Sequence, residues 1–178
     1  KAYHAGIDYY DTARGYSDSE KKLGMAFSDV REKIYIATKT TARNAEEMKK
    51  DLAASLHELQ TDYIDLYQFH NPDFCPKPGD GTGLYEAALE AKRSGKIRHI
   101  GITNHRLNIA GEAIKSGLYE TLQFPFSYLA SENDIELVNK CMQSGMGFLA
   151  MKALAGGLIT DSEAAYAFEA EYPGEISI

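Results

Sequence analysis

Cysteine is nearly absent from this 178-residue chain, with only Cys75 and Cys141, and tryptophan is missing altogether. Two thiols cannot build a disulfide framework or, unaided, a metal cluster, so a reducing cytoplasm is the expected setting. Positive charge is in deficit. The formal net charge of −7 argues against a general affinity for nucleic acid or an anionic membrane. No uninterrupted apolar run approaches the roughly 20 residues of a membrane-spanning helix. The opening, Lys1 to Gly6, does not read as a secretory signal. Proline is sparse too, and three of the five lie in one stretch, Asn71–Gly83, together with three glycines.

What is there is an ordinary globular composition, 44% hydrophobic and 25% charged, in a length that suits one domain over residues 1–178. Short apolar segments that read as strands recur at Ile7–Tyr10, Ile34–Thr38, Ile64–Phe69, His99–Thr103, Thr121–Phe124 and Gly147–Met151. Helical patterns separate them. Asn44 with Glu47 has the spacing of a capping box, and Met48, Leu52, Leu56 and Leu59 then share one helical face. Ser17 with Glu20 reads as a second capping pair, opening a helix that turns Leu23, Ala26 and Phe27 inward. Further helices are expected over Leu84–Ser94 and Asp134–Ser144, each stopped by a glycine, Gly95 and Gly145.

Strand–helix–strand alternation of this regularity implies an α/β fold of right-handed βαβ units with a parallel sheet. No G-x-G-x-x-G follows the first strand, which removes the dinucleotide fingerprint of the open doubly wound fold. Polar residues instead close several different strands: Asp11, Lys39, His70, Asn104 and Gln123. That is the habit of a (β/α)8 TIM barrel, whose active site gathers strand ends on one face. Six strands against the eight of a barrel of about 250 residues make it incomplete, lacking the first strand and the last βα units. Lys1–Gly6 reads as the tail of a helix, and the segment from Tyr172 stops where a further strand should begin. An open barrel edge would favour self-association. Asn71–Gly83, just after a strand end, reads as a substrate loop.

Asp11, Lys39 and His70 end three successive strands, and Tyr16 follows in the loop after Asp11. A phenol with a free pKa near ~10 needs a neighbouring cation to give up its proton easily, and a buried lysine kept charged by an aspartate supplies one. The set therefore makes sense as a tuned general acid with an orienting histidine. Taken singly, each residue has an ordinary structural explanation. Asp–Lys pairs bridge strand ends, strand-end histidines satisfy core hydrogen bonds, and the chain has twelve tyrosines. No activated serine or cysteine and no metal-ligand cluster accompanies them.

The ordered set is more specific. Gly6-Ile-Asp-Tyr-Tyr-Asp11-Thr-Ala-Arg-Gly-Tyr16-Ser-Asp-Ser-Glu20 closely resembles the aldo-keto reductase signature. Ile36-Ala-Thr-Lys39-Thr resembles that family's lysine strand, Asp62 to His70 its histidine strand, and Gly95 to Asn104 its nicotinamide segment. The similarity runs from about Gly6 to about Ile159. It implies an NAD(P)H-dependent reductase of aldehydes or ketones. Tyr16 would donate the proton, Lys39 with Asp11 would lower the tyrosine pKa, and His70 would orient the carbonyl. Thr103, Asn104 and Gln123 would hold the nicotinamide carboxamide, and Leu154, Gly156 and Gly157 would run beside the pyrophosphate.

Some positions depart from the family pattern. Ser17 stands where many members have glycine, Met151 where an aromatic ring commonly stacks on the nicotinamide, and Lys152 where serine is frequent and a phosphate would lie. Met151-Lys-Ala-Leu-Ala-Gly-Gly-Leu resembles a subgroup in which some members append an iron–sulfur domain, for which this chain has too few cysteines. NADP(H) is expected ahead of NAD(H), although the segment that would grip the adenosine phosphate is not in the sequence. For that reason these residues alone are expected to hold no cofactor. The competing readings are a non-catalytic redox sensor or scaffold of the same fold, and an inactive fragment of the enzyme.

Overall fold

A computed structural model describes residues 1–172 and 176–177. The chain forms two compact units, one of Lys1–His70 with Pro76–Ile100, the other of Asn71–Cys75 with Gly101–Ile178.

In the first unit a short 3-10 turn, Tyr3–Ala5, leads to β1 (Tyr9–Asp11), then β2 (Tyr35–Thr40) and β3 (Ile64–His70). β1 pairs in parallel with β2, and β2 with β3, the register setting Asp11 beside Ala37 and Lys39 beside Gln68. Strand β1 begins two residues later than the apolar pattern suggested. Ile7 is exposed, and its carbonyl accepts the Tyr10 hydroxyl. β3 is buried along nearly its whole length, as befits a parallel strand covered on both faces. The covering helices are α1 (Ser19–Phe27), α2 (Ala45–Glu58) and α3 (Leu84–Arg93). Helix α2 opens as expected, with Asn44 accepting from the Glu47 amide, and turns Met48, Leu52 and Leu59 into the core.

Helix α1 departs from expectation. Ser17 is not its cap but a left-handed residue with φ 51°, and no side chain caps the helix at Asp18. Ala26 is exposed, and Leu23 and Phe27 are only half-buried. The buried contact is made by Gly24, where an added Cβ would lie 2.4 Å from the Glu58 carbonyl oxygen. The helix therefore meets the end of α2 through backbone, an approach that only glycine allows. Asn71–Gly83 divides between the units. Its Pro76–Gly83 part is braced by its own side chains, with Asp80 accepting from the Lys77 and Thr82 amides and Glu86 from the Gly79 amide.

Strand β4 (Ile97–Thr103) ends in the second unit, which continues with α4 (Leu107–Ser116), β5 (Thr121–Pro125), α5 (Glu132–Gln143), β6 (Gly147–Met151) and α6 (Ser162–Glu169). β4, β5 and β6 pair in parallel in that order. A seventh strand, β7 (Ile176–Ser177), pairs in parallel with β6, so the further strand expected near the chain end is begun. Helix α5 starts two residues before the predicted Asp134, on a capping box between Ser131 and Asp134. Phe126 centres the core here, with the rings of Phe148, Phe168 and Tyr172 within 4.9–5.9 Å of it. Successive parallel βα units of this kind make an incomplete (β/α)8 fold. Among the described residues no helix is long and apolar enough to cross a membrane.

Candidate active site

The first unit collects all four proposed acid–base residues. Asp11 ends β1, and the chain beyond it stays on β2, with the Thr12 amide donating to Ala37 O and the Arg14 amide to Lys39 O, each at 2.9 Å. The turn that follows carries Tyr16. It is braced by Glu20, only 3% exposed, which accepts from the Thr38 hydroxyl at 2.6 Å and forms an ion pair with Arg14. Spacing alone pairs Glu20 with Ser17 as a helix cap. Its real partners come from β2 and the loop, which local spacing does not reveal.

Lys39 is 2% exposed, ion-paired with Asp11 and hydrogen-bonded to the Thr12 carbonyl at 2.8 Å. Gln68, a residue not anticipated, donates to the other Asp11 oxygen at 3.5 Å. The Lys39 ammonium lies 5.3 Å from the centre of the Tyr16 ring. The His70 ring meets the Tyr16 ring edge-on, with centroids 5.6 Å apart. The four side chains expected together are together. Tyr16 remains 47% exposed as a residue.

The electrostatics differ from expectation in sign. Burial, and secondarily the Asp11 carboxylate, raise the Tyr16 pKa above the ordinary tyrosine value. The Lys39 ammonium, 5.3 Å from the centre of the Tyr16 ring, is ion-paired with that same carboxylate. Burial pulls the Lys39 pKa down while Asp11 holds it up. Tyr16 is thus kept protonated. In a spectroscopic titration its phenolate should appear above the usual pH of about 10, and Asp11→Asn should move the midpoint down. A midpoint below that of free tyrosine would show that Lys39 dominates after all. The raised value also means that the folded state loses stability as pH climbs from the ordinary tyrosine range through the Tyr16 midpoint.

The second unit contains every residue expected at the cofactor. Buried Thr103 ends β4 and buried Asn104 follows it, Gln123 lies buried in β5, and half-buried Met151 ends β6. Asn104 is more committed than its sequence suggests. Its side-chain oxygen accepts from the His105 and Arg106 amides at 3.0 and 2.9 Å, and its amide donates to Pro72 O at 2.8 Å. After β6 the chain turns through Lys152, exposed and left-handed at φ 65°, and half-buried Leu154. It then passes Gly156 and Gly157, at φ 70° and 97°.

A model of the Aldo/keto reductase family matches residues 1–171. The chain belongs to that family. It is 37% identical over 121 residues to a methylglyoxal reductase of Salmonella typhi, an alignment covering 64% of this chain and 43% of that protein. It is 28% identical over 183 residues to the NADH-specific methylglyoxal reductase of Escherichia coli, covering 90% and 56%. Among solved structures, the holo form of an aldo-keto reductase from Bacillus halodurans superposes with a TM-score of 0.78 at 29% identity, covering 90% of this chain and 57% of that one. The chain therefore spans about half the length of the relatives it matches.

For an aldo-keto reductase the residues present suit a nicotinamide dinucleotide unevenly. Nothing lies within 4 Å of where a Cβ would stand at Gly156 or Gly157, so a phosphate can approach that backbone closely, beside the exposed Lys152. At the carboxamide end, Asn104 has one amide hydrogen beyond those its neighbours use. Among the described residues no group of histidine, cysteine and acidic side chains could hold a metal ion.

Proposed function

We propose that this chain carries the catalytic residues of a nicotinamide-dependent carbonyl reductase acting on small aldehydes or ketones. The observation that carries the reading is the buried Lys39–Asp11 pair set beside Tyr16 and His70. Structural ion pairs bridge strand ends in many proteins, but they do not require a part-exposed tyrosine ring close to both the ammonium and an imidazole.

The bound nicotinamide supplies a hydride. The protein's part is to hold a proton where negative charge develops on the carbonyl oxygen. Tyr16, its pKa raised by burial and by Asp11, is that donor. A raised pKa does not prevent transfer, because an alkoxide is a far stronger base than a phenolate. Lys39 then stands near the phenolate that is left, and Asp11 keeps the ammonium charged. His70 orients the substrate oxygen toward the hydroxyl. Gly156, Gly157 and Lys152 would hold the pyrophosphate, Met151 would pack on the nicotinamide with its thioether, and Thr103, Asn104 and Gln123 would meet its carboxamide.

We place NADP(H) ahead of NAD(H) as the cofactor, a small carbonyl compound as the partner, and the cytoplasm as the setting. Cys75 and Cys141, both buried and not joined in a disulfide, support the last of these. The test is consumption of NADPH and of NADH by the protein carrying this chain, with and without methylglyoxal, alongside calorimetric titration of each nucleotide. Aldehyde-dependent consumption of either is expected. Nucleotide binding without turnover would favour a redox sensor, and neither binding nor turnover would remove the reading.

A further inference from the structure

We propose that Arg106 is a positioning residue, clamping the Asn71–Pro72 segment so that the backbone leaving His70 is held in one conformation. This rests on the reductase reading above, in which His70 orients the substrate.

The clamp is made entirely within the second unit. Asn71, the residue bonded directly to His70 in the chain, has a left-handed backbone with φ 51°. Its amide donates to both oxygens of Thr103, to the carbonyl at 2.9 Å and to the hydroxyl at 3.1 Å. Its side-chain oxygen accepts from the His105 amide at 3.3 Å and from Arg106 Nη1 at 3.1 Å. The same guanidinium nitrogen is 3.5 Å from the Pro72 carbonyl, which also receives the Asn104 amide at 2.8 Å. Two consecutive residues after His70 are thus tied to four consecutive residues, Thr103 to Arg106.

Arg106 occupies a place that helix chemistry does not favour for it. It stands at the N-cap of α4 and provides no side-chain cap. A cation there opposes the positive end of the helix dipole, and Asn, Asp or Ser would serve the helix better. Asn104 does the capping-like work instead, accepting from the two amides before the helix. What an arginine adds is a long planar donor that reaches two acceptors across the chain. The left-handed turn at Asn71 gives that reach a purpose. Asparagine adopts such a turn more readily than most residues other than glycine, and the bonds at Asn71 and Pro72 hold it here.

The clamp also has a second consequence. Thr103 and Asn104, read as meeting the nicotinamide carboxamide, are the side chains that bond Asn71 and Pro72. Loosening Arg106 therefore frees the Asn71 side chain and weakens the hold on the turn that leaves His70, while Thr103 and Asn104 keep their remaining bonds and with them the nucleotide end.

The experiment compares Arg106→Ala, Asn71→Gly and Asn71→Asp in the full protein, following kcat, KM, nucleotide affinity and amide exchange at Asn71. Asn71→Gly keeps the left-handed turn and loses the acceptor, whereas Asn71→Asp keeps the acceptor. Arg106→Ala and Asn71→Gly should speed exchange of the amide at residue 71. They should lower kcat by about tenfold to a hundredfold, with nucleotide affinity held within about twofold. Asn71→Asp should recover most of what Asn71→Gly loses. Unchanged exchange in Arg106→Ala overturns the clamp whatever the turnover. Faster exchange with unaltered kcat shows a merely local bond and overturns the positioning role. If wild-type protein has no reductase activity, the reductase reading fails, and with it the positioning role. The exchange measurement still judges the clamp itself.

Discussion

Tyr16→Phe should abolish nearly all carbonyl reduction while leaving nucleotide binding intact. A positioned general acid contributes typically about 10²–10⁴-fold, and the substitution removes only the hydroxyl proposed for that role. The ring stays. Its edge-on packing against His70 and its place beside the Lys39 ammonium need no oxygen, so neither the turn nor the Lys39–Asp11 pair should move. Steady-state kcat with a small aldehyde and calorimetric titration with the nucleotide separate the two effects. Wild-type turnover in the variant would remove Tyr16 as the proton donor. Equal loss of binding and turnover would mean that the hydroxyl shapes the nucleotide site instead.

The second large effect concerns stability. Asp65→Ala should destabilise the fold by about 3–5 kcal/mol, the usual cost of stripping one partner from a buried ion pair. Asp65 is 4% exposed and serves three donors. Its oxygens accept from Arg31 Nη2 at 2.7 Å and Arg98 Nη1 at 2.9 Å, and from the Ile36 amide at 3.0 Å. Both guanidinium groups also stack on Tyr63, at 4.1 and 3.9 Å from its ring centre. Removing the carboxylate leaves the buried Arg31 charge and a β2 amide unmet. Urea unfolding measures the loss, and Asp65→Asn, which can still accept two hydrogen bonds, should lose clearly less. A loss below about 1 kcal/mol in Asp65→Ala would show that stacking on Tyr63 suffices to hold the two guanidinium groups.

Neither the Asp65 network nor the Arg106 clamp could be read from the chain. Asp65 sits mid-strand in Ile64–His70, a segment whose apolar neighbours announce only a buried strand. Its partners lie some thirty residues away on either side, at Arg31 and Arg98. The error at α1 has the same origin. Ser17 and Glu20 have capping spacing, yet Glu20 gains more from Thr38 and Arg14 on neighbouring segments than from a local amide. Local spacing predicts a bond only when no stronger partner is brought up by the fold.

The order of strands and helices is legible in the residues alone, because apolar periodicity and glycine stops are local properties of the backbone. So are the strand ends that carry Asp11, Lys39 and His70, since parallel βα units place successive strand ends on one side. The charge balance is set by the fold. Whether Lys39 acidifies Tyr16 or spends its charge on Asp11 depends on ångström-scale separations and on how deeply each group is buried, and here burial and Asp11 prevail. The fold likewise decides what Asn104 does. A buried amide must satisfy its own hydrogen bonds first, and the nearest partners are Pro72 and the two amides that follow it in the chain.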